Sequence, residues 1–118
     1  MTKSSHKTRL LDPRQRALAH RARARLDRCF SSRISLDELA ESFDISLRRL
    51  RDLFTQEFGC SPSNYVLSLR VERAKQLLRK GFPIKEVAVE AGFFDQAHLT
   101  KHFKRIAGTT PAKFFRKG

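Results

Sequence analysis

The sequence predicts an all-α fold: two copies of a helix, short turn, helix unit, with a long helix between them and an arginine-rich helix in front. Three observations carry this. Apolar residues recur at i, i+3, i+4 and i+7 through most of the chain, which is the spacing of one helix face. Cap residues and glycines punctuate those stripes at helix-sized intervals. The punctuation itself then repeats at an offset of 48 to 49 residues.

Length and charge narrow the possibilities. A chain of 118 residues supports one domain or two very small ones. Its 25 Lys and Arg against 12 Asp and Glu give a net charge of +13 and a pI near 10.9, a balance that calls for nucleic acid or a membrane surface as partner. No apolar run approaches the roughly 18 residues that cross a bilayer, and the start Met1-Thr2-Lys3-Ser4-Ser5 lacks the apolar stretch of a signal peptide. The expected location is the cytoplasm, with no membrane partner. Cys29 and Cys60 form no CxxC pair and read as small apolar fillers. His98 and His102 lie at i, i+4 but lack a third ligand, so neither a metal nor a cofactor is expected. With no nucleophile elbow, phosphate loop or dinucleotide fingerprint, no catalytic residue is assigned and the chain is not read as an enzyme.

Residues 1–11 are polar and basic, without period, and are expected to form a flexible arm. Asp12-Pro13 then supplies an N-cap and a first-turn proline, followed by a stripe of Leu18, Ala22, Leu26, Cys29 and Phe30. Residues 1–33 hold ten basic and two acidic side chains, so this stretch alone is net +8. Such density of like charge favours an anionic neighbour, and Arg14, Arg21 and Arg25 are candidates for phosphate contact.

Ser35 and Glu38 have capping-box spacing before a short helix carrying Leu36, Leu39, Ala40 and Phe43. A tight turn at Asp44-Ile45 leads to Ser46, which caps a second helix with Leu47, Leu50, Leu53, Phe54 and Phe58 on its apolar side and Gly59 as its stop. Opposite Leu50 lie Arg48, Asp52 and Thr55, flanked by Arg49, Arg51 and Gln56. The segment 34–59 is net −3, yet its three arginines all sit in the first turn and a half of that helix. A helix entering a groove N-terminus first requires that placement.

Ser61-Pro62 opens a long helix running to about Lys80, broken by Gly81-Phe82-Pro83. A short helix follows with Ile84, Val87, Ala88 and Ala91, closed by Gly92. Asp95 then caps a helix whose stripe is Leu99, Phe103 and Ile106 and whose stop is Gly108. Its opposite face carries Ala97, Lys101 and Lys104, with His98, Thr100 and Arg105 beside it.

Superposing the halves exposes the repeat. Leu36, Leu39 and Ala40 match Ile84, Val87 and Ala88 at an offset of 48; Ser46, Leu50, Phe54, Gly59, Pro62 and Tyr65 match Asp95, Leu99, Phe103, Gly108, Pro111 and Phe114 at 49. One residue is therefore inserted in the second turn. Each copy has the arrangement of a helix-turn-helix, in which the second helix reads a major groove.

From Ile34 to Arg116, about 70% of its length, the chain resembles the DNA-binding domain of the AraC/XylS family of bacterial transcription regulators. The most specific stretch is Ile84-x-x-Val87-Ala88-x-x-Ala91-Gly92-Phe93-x-Asp95-x-x-His98-Leu99-x-x-x-Phe103-Lys104, continuing to Gly108, Pro111 and Phe114. The first half shows similar spacing at Leu39-Ala40, Ser46, Leu50, Phe54, Gly59 and Pro62-x-x-Tyr65.

The resemblance implies an AraC-type DNA-binding domain over 12–118. It is divided into a first helix-turn-helix unit with its N-terminal helix (12–60), a linker helix (61–80) and a second unit (81–118). Two recognition helices would enter successive major grooves of double-stranded DNA, roughly 34 Å apart, and a linker of about 28 Å is compatible with that. Carrying both readers, such a protein binds an asymmetric site as a monomer. Family members commonly act as activators that contact RNA polymerase.

Carried over by position, base reading falls on Arg48, Arg51 and Asp52 in the first unit and on Gln96, Ala97, His98 and Lys101 in the second. Arginine suits guanine O6 and N7, glutamine suits adenine N6 and N7, and Ala97 could meet only a thymine methyl. Asp52 departs from the basic side chain expected at its position; it could accept from cytosine N4, or pair with Arg48 and withdraw it from DNA. Arg49, Thr55, Gln56, Thr100, Lys104 and Arg105 are phosphate candidates. Two other readings remain: a nonspecific nucleoid or architectural DNA-binding protein, and a polymerase-interacting module that does not read DNA.

Overall fold

In the computed structural model, which describes residues 11–117, the chain is helical throughout its regular structure. Among the described residues there are seven helices: α1 (Pro13–Cys29), α2 (Leu36–Ser42), α3 (Leu47–Phe58), α4 (Pro62–Arg79), α5 (Ile84–Ala91), α6 (Gln96–Ala107) and α7 (Pro111–Lys117). The arm expected at 1–11 lies almost wholly outside the described residues. Two compact units result. One runs to Arg28 and takes in Ile34–Tyr65; the other comprises Cys29–Arg33 and the chain from Val66 onward. The expected first unit, 12–60, thus loses residues 29–33, and the expected linker helix is shared, its first turn in one unit and its remainder in the other.

In the first unit α1 starts with a reciprocal box. Asp12 Oδ1 accepts from the Gln15 N–H at 2.8 Å, and Gln15 Oε1 accepts from the Asp12 N–H at 3.0 Å. The helix buries Ala19, Ala22 and Leu26, while Leu18 is only half-buried. Ala22 and Leu26 are buried as the apolar pattern predicts, and only at the start of the stripe does Ala19 take the inward place expected of Leu18. Ser35 Oγ caps α2 by accepting from the Glu38 N–H at 3.1 Å. The chain then turns through Asp44, at φ 59°, and the Ile45 N–H donates to the Ala40 carbonyl at 3.1 Å. Ser46 Oγ accepts from the Arg49 N–H at 3.0 Å to begin α3, which buries Leu50, Leu53 and Phe54. Each fully buried Leu or Phe contributes about 1.5–3 kcal/mol. The Phe54 ring lies 4.7 Å from that of Phe58 and 5.6 Å from that of Tyr65, and the Tyr65 hydroxyl donates to Asp27 Oδ1.

The second unit has its own core, formed by Val71, Ala74, Leu77 and Leu78 of α4, Val87, Ala88 and Ala91 of α5, Phe93, and Leu99 and Phe103 of α6. Its turn closes as the first does: the Phe93 N–H donates to the Ala88 carbonyl at 2.8 Å. Asp95 Oδ1 accepts from the His98 N–H at 2.8 Å and starts α6. Phe114 of α7 sets its ring edge-on to Phe103 at 5.6 Å, with the Arg79 guanidinium 5.1 Å from the Phe114 centroid.

Residues 29–33 belong here because Arg70 holds them. Its Nε donates to the Phe30 carbonyl at 2.6 Å and its Nη2 to the Ser32 carbonyl at 3.0 Å. Gly92 makes room for this contact: at φ 100°, a Cβ there would lie 2.8 Å from Ser31 Cα and 2.9 Å from Arg70 Nε.

Ala19, Ala22 and Leu26 of α1 have the same spacing as Val71, Ala74 and Leu78 of α4, and all six are buried. Each unit thus also contains a helix with one buried face ahead of its helix-turn-helix pair.

Candidate nucleic-acid interface

On α3, packing of Leu50, Leu53 and Phe54 inward leaves Arg48, Arg49, Arg51, Asp52, Thr55 and Gln56 exposed. Among the described residues, no side-chain hydrogen bond or ion pair engages Arg48, Arg51 or Asp52. The pairing of Asp52 with Arg48 that their spacing allows is not formed. The guanidiniums keep all their donors, and the carboxylate keeps its acceptors.

On α6, Gln96, Ala97, Lys101, Lys104 and Arg105 are exposed and Thr100 is half-buried. Ile106, expected on the apolar stripe, is 37% exposed. Ala107 packs against the core instead, continuing the i, i+4, i+8 row begun by Leu99 and Phe103.

His98 differs from the other candidates. It is half-buried, and its Nδ1 accepts from the backbone N–H of Phe94 at 3.1 Å. Its ring stands edge-on to Phe93 at 5.4 Å and to His102 at 4.7 Å. His102 is held below the ordinary imidazole value by burial first, and then by the charges of His98, Arg105, Lys101 and Arg70. Near neutral pH it adds no charge to this basic face. Among the described residues, no group of three His, Cys, Asp or Glu side chains is placed to hold a metal ion, and no helix is long and apolar enough to cross a membrane.

The arginines of α1 divide. Arg14 is exposed, with no partner among the described residues, and Arg25 is exposed. Others turn inward on their own unit. Arg16 Nε lies 3.4 Å from Glu57 Oε2 and His20 Nε2 2.7 Å from the same oxygen. The Arg21 guanidinium sits 5.3 Å from the Phe43 centroid and that of Arg23 4.7 Å from Phe58. The hydrogen bond from His20 and the Arg16 charge hold the Glu57 carboxyl below the usual value, against the opposing effect of burial. Arg16, Arg21 and Arg23 thus each have a partner within their own unit. The acidic segment 34–59 supplies Glu57, and Phe43 just after α2 and Phe58 of α3 supply the ring faces.

Sequence reasoning missed the Arg16, His20 and Glu57 cluster and the Arg70 clamp, whose partners lie about 40 residues apart and leave no local pattern. The Phe94 contact did leave one: Phe94 is the residue inserted in the second turn.

Two helix pairs, each with a closed turn and a capped second helix whose outer face is polar, define a double helix-turn-helix protein. Comparison with known proteins agrees. Residues 39–117 match a family described as a helix-turn-helix domain. Over 79 residues the chain is 43% identical to the HTH-type transcriptional regulator GbdR of Pseudomonas aeruginosa strain UCBPP-PA14, covering 66% of this chain and 22% of that protein. Among solved structures, the C-terminal domain of AraT, a response regulator from Geobacillus stearothermophilus, superposes with a TM-score of 0.81 at 29% identity, covering 86% of this chain and 85% of that one. The DNA-binding domain of AdpA, a global transcriptional factor solved in complex with a target DNA, superposes at 0.78 with 25% identity, covering 84% and 90% respectively. The chain belongs to the AraC/XylS family of helix-turn-helix proteins.

Proposed function

We propose that this chain is a sequence-specific DNA-binding transcription regulator, acting as an activator in the bacterial cytoplasm. It binds double-stranded DNA as a monomer, with α3 and α6 each entering a major groove, and RNA polymerase is its further partner. The observation that carries the reading is the exposed polar face of each capped second helix. Arg48, Arg51 and Asp52 on one, and Gln96, Ala97 and Lys101 on the other, stand over buried leucine and phenylalanine. Similarity to GbdR and to the DNA-bound AdpA domain supports it.

On this reading those residues and His98 contact bases, while Arg49, Thr55, Gln56, Thr100, Lys104, Arg105, Arg14, Arg21 and Arg25 contact phosphates. Arg21 can do so from its ring-stacked position, because stacking leaves its in-plane N–H donors open. The test is selection of bound duplexes from a randomised pool, followed by affinities for the selected and a scrambled duplex at one salt concentration. Specific binding about 10³-fold tighter than scrambled is expected. Equal affinities would leave a nonspecific architectural protein.

A further inference from the structure

One turn differs from its twin by one residue, and that residue has a partner. In the first copy the chain goes from Ile45 directly to the cap Ser46; in the second, Phe94 intervenes between Phe93 and the cap Asp95. The Phe94 side chain is 80% exposed, so the insertion adds no core. Its backbone N–H, however, donates to His98 Nδ1. An amide N–H can donate only to a ring nitrogen that carries no proton, so the neutral imidazole of His98 has its proton on Nε2. Nε2 has no hydrogen-bond partner among the described residues, and no buried side-chain nitrogen or oxygen in them lacks one. Nε2–H is therefore reachable from outside. In the first copy the matching residue is Arg49, whose guanidinium has no acceptor nitrogen, and no residue is inserted ahead of the cap Ser46, so no such device exists there.

We propose that the inserted Phe94 amide is a positioning group that fixes His98 as a donor only, and that His98 Nε2–H reads the N7 acceptor of a purine in the major groove. This rests on α6 being a DNA-reading helix. A histidine free to exchange tautomers could also accept a hydrogen bond, and so could meet the amino groups of adenine or cytosine. Held by Phe94, it offers no acceptor. A lone donor cannot form a bidentate pair; of the major-groove acceptors open to it, guanine O6, thymine O4 and purine N7, N7 is the one that both purines present.

Two measurements test this on the full chain. The first is long-range 15N–1H NMR of the histidine rings at pH 8, which reports the tautomer of each neutral imidazole. The expected result is His98 as the Nε2–H form; the Nδ1–H form, or a rapid mixture of the two, would overturn the proposal. The second replaces each purine of a pool-selected duplex in turn by its 7-deaza analogue, which has carbon in place of N7. At one position the native chain is expected to lose about fivefold in affinity, the scale of one hydrogen bond, and His98→Ala to lose none. If sensitivity at every purine is the same in both chains, His98 does not read N7 and the proposal fails while DNA reading stands. If the native chain enriches no sequence, DNA reading itself fails and this inference with it.

Discussion

Arg70 grips the carbonyl of Phe30 at 2.6 Å, forty residues away in sequence. With the second bond to Ser32, the planar guanidinium fork closes the segment after α1 onto the second unit. Arg70→Ala is expected to destabilise that unit by about 2–3 kcal/mol, since two charge-assisted hydrogen bonds go and a part-buried carbonyl is left unpaired. Arg70→Lys should recover less than half, because an ammonium cannot reproduce the fork. Urea denaturation of the three chains measures both.

Gly92 and Gly59 share a left-handed backbone but differ in the space around them. Nothing lies within 4 Å of a Cβ built on Gly59, whereas one on Gly92 meets backbone at 2.8 Å. Gly59→Ala should cost about 1 kcal/mol, from φ alone. Gly92→Ala should cost more than about 2 kcal/mol and loosen the Arg70 clamp. Equal melting temperatures for the two variants would contradict this.

Tyr65 is the chain's one tyrosine, so its ionisation can be followed directly by ultraviolet absorbance. Burial first, and then its hydrogen bond to Asp27, push its hydroxyl up from 10.0 to about 12. Between those values the unfolded chain has released a proton that the folded chain keeps. The resulting stabilisation is complete below pH 10 and is lost as pH rises toward 12. In Asp27→Asn the midpoint should fall but remain above 10, because burial persists.

His102 gives the opposite slope on the acid side. Its folded value lies below the ordinary 6.5, so below pH 6.5 the unfolded chain binds a proton that the folded chain refuses. The stabilisation is present above pH 6.5 and is lost as pH falls through the folded value. His102→Gln should flatten the stability of the second unit against pH over that interval, as followed by thermal melts.

Lys101→Ala and Arg51→Ala should each cost about 1–3 kcal/mol on the selected duplex and little on scrambled DNA. Arg14→Gln should weaken both duplexes alike and lower the salt slope by about one. A uniform loss for Lys101→Ala would move that residue to the phosphate group.

Most of the helical plan was legible because caps and stops are local chemistry. Ser35, Ser46, Asp95 and Gly108 each act where the sequence places them. In α1 the buried Ala22 and Leu26 were legible, and only the first inward position, Ala19 rather than Leu18, was not. The outer faces of α3 and α6 followed from periodicity until their ends, where Ile106 left the stripe. Tertiary pairings were not legible: nothing near Arg16 or Arg23 in sequence announces Glu57 or Phe58. The arginine count of α1 therefore did not reveal which of its side chains have partners within the unit.

The extra residue in the second turn bears on how far the two helices can be exchanged. Gln96, Ala97 and Lys101 could be transplanted to α3 by side-chain substitution alone, because both helices start from the same kind of cap. The His98 preference could not follow them. Its instruction resides in the main chain ahead of the helix, so a designer recoding the first unit would have to lengthen its turn by one residue before any histidine placed at position 49 read DNA in the same way.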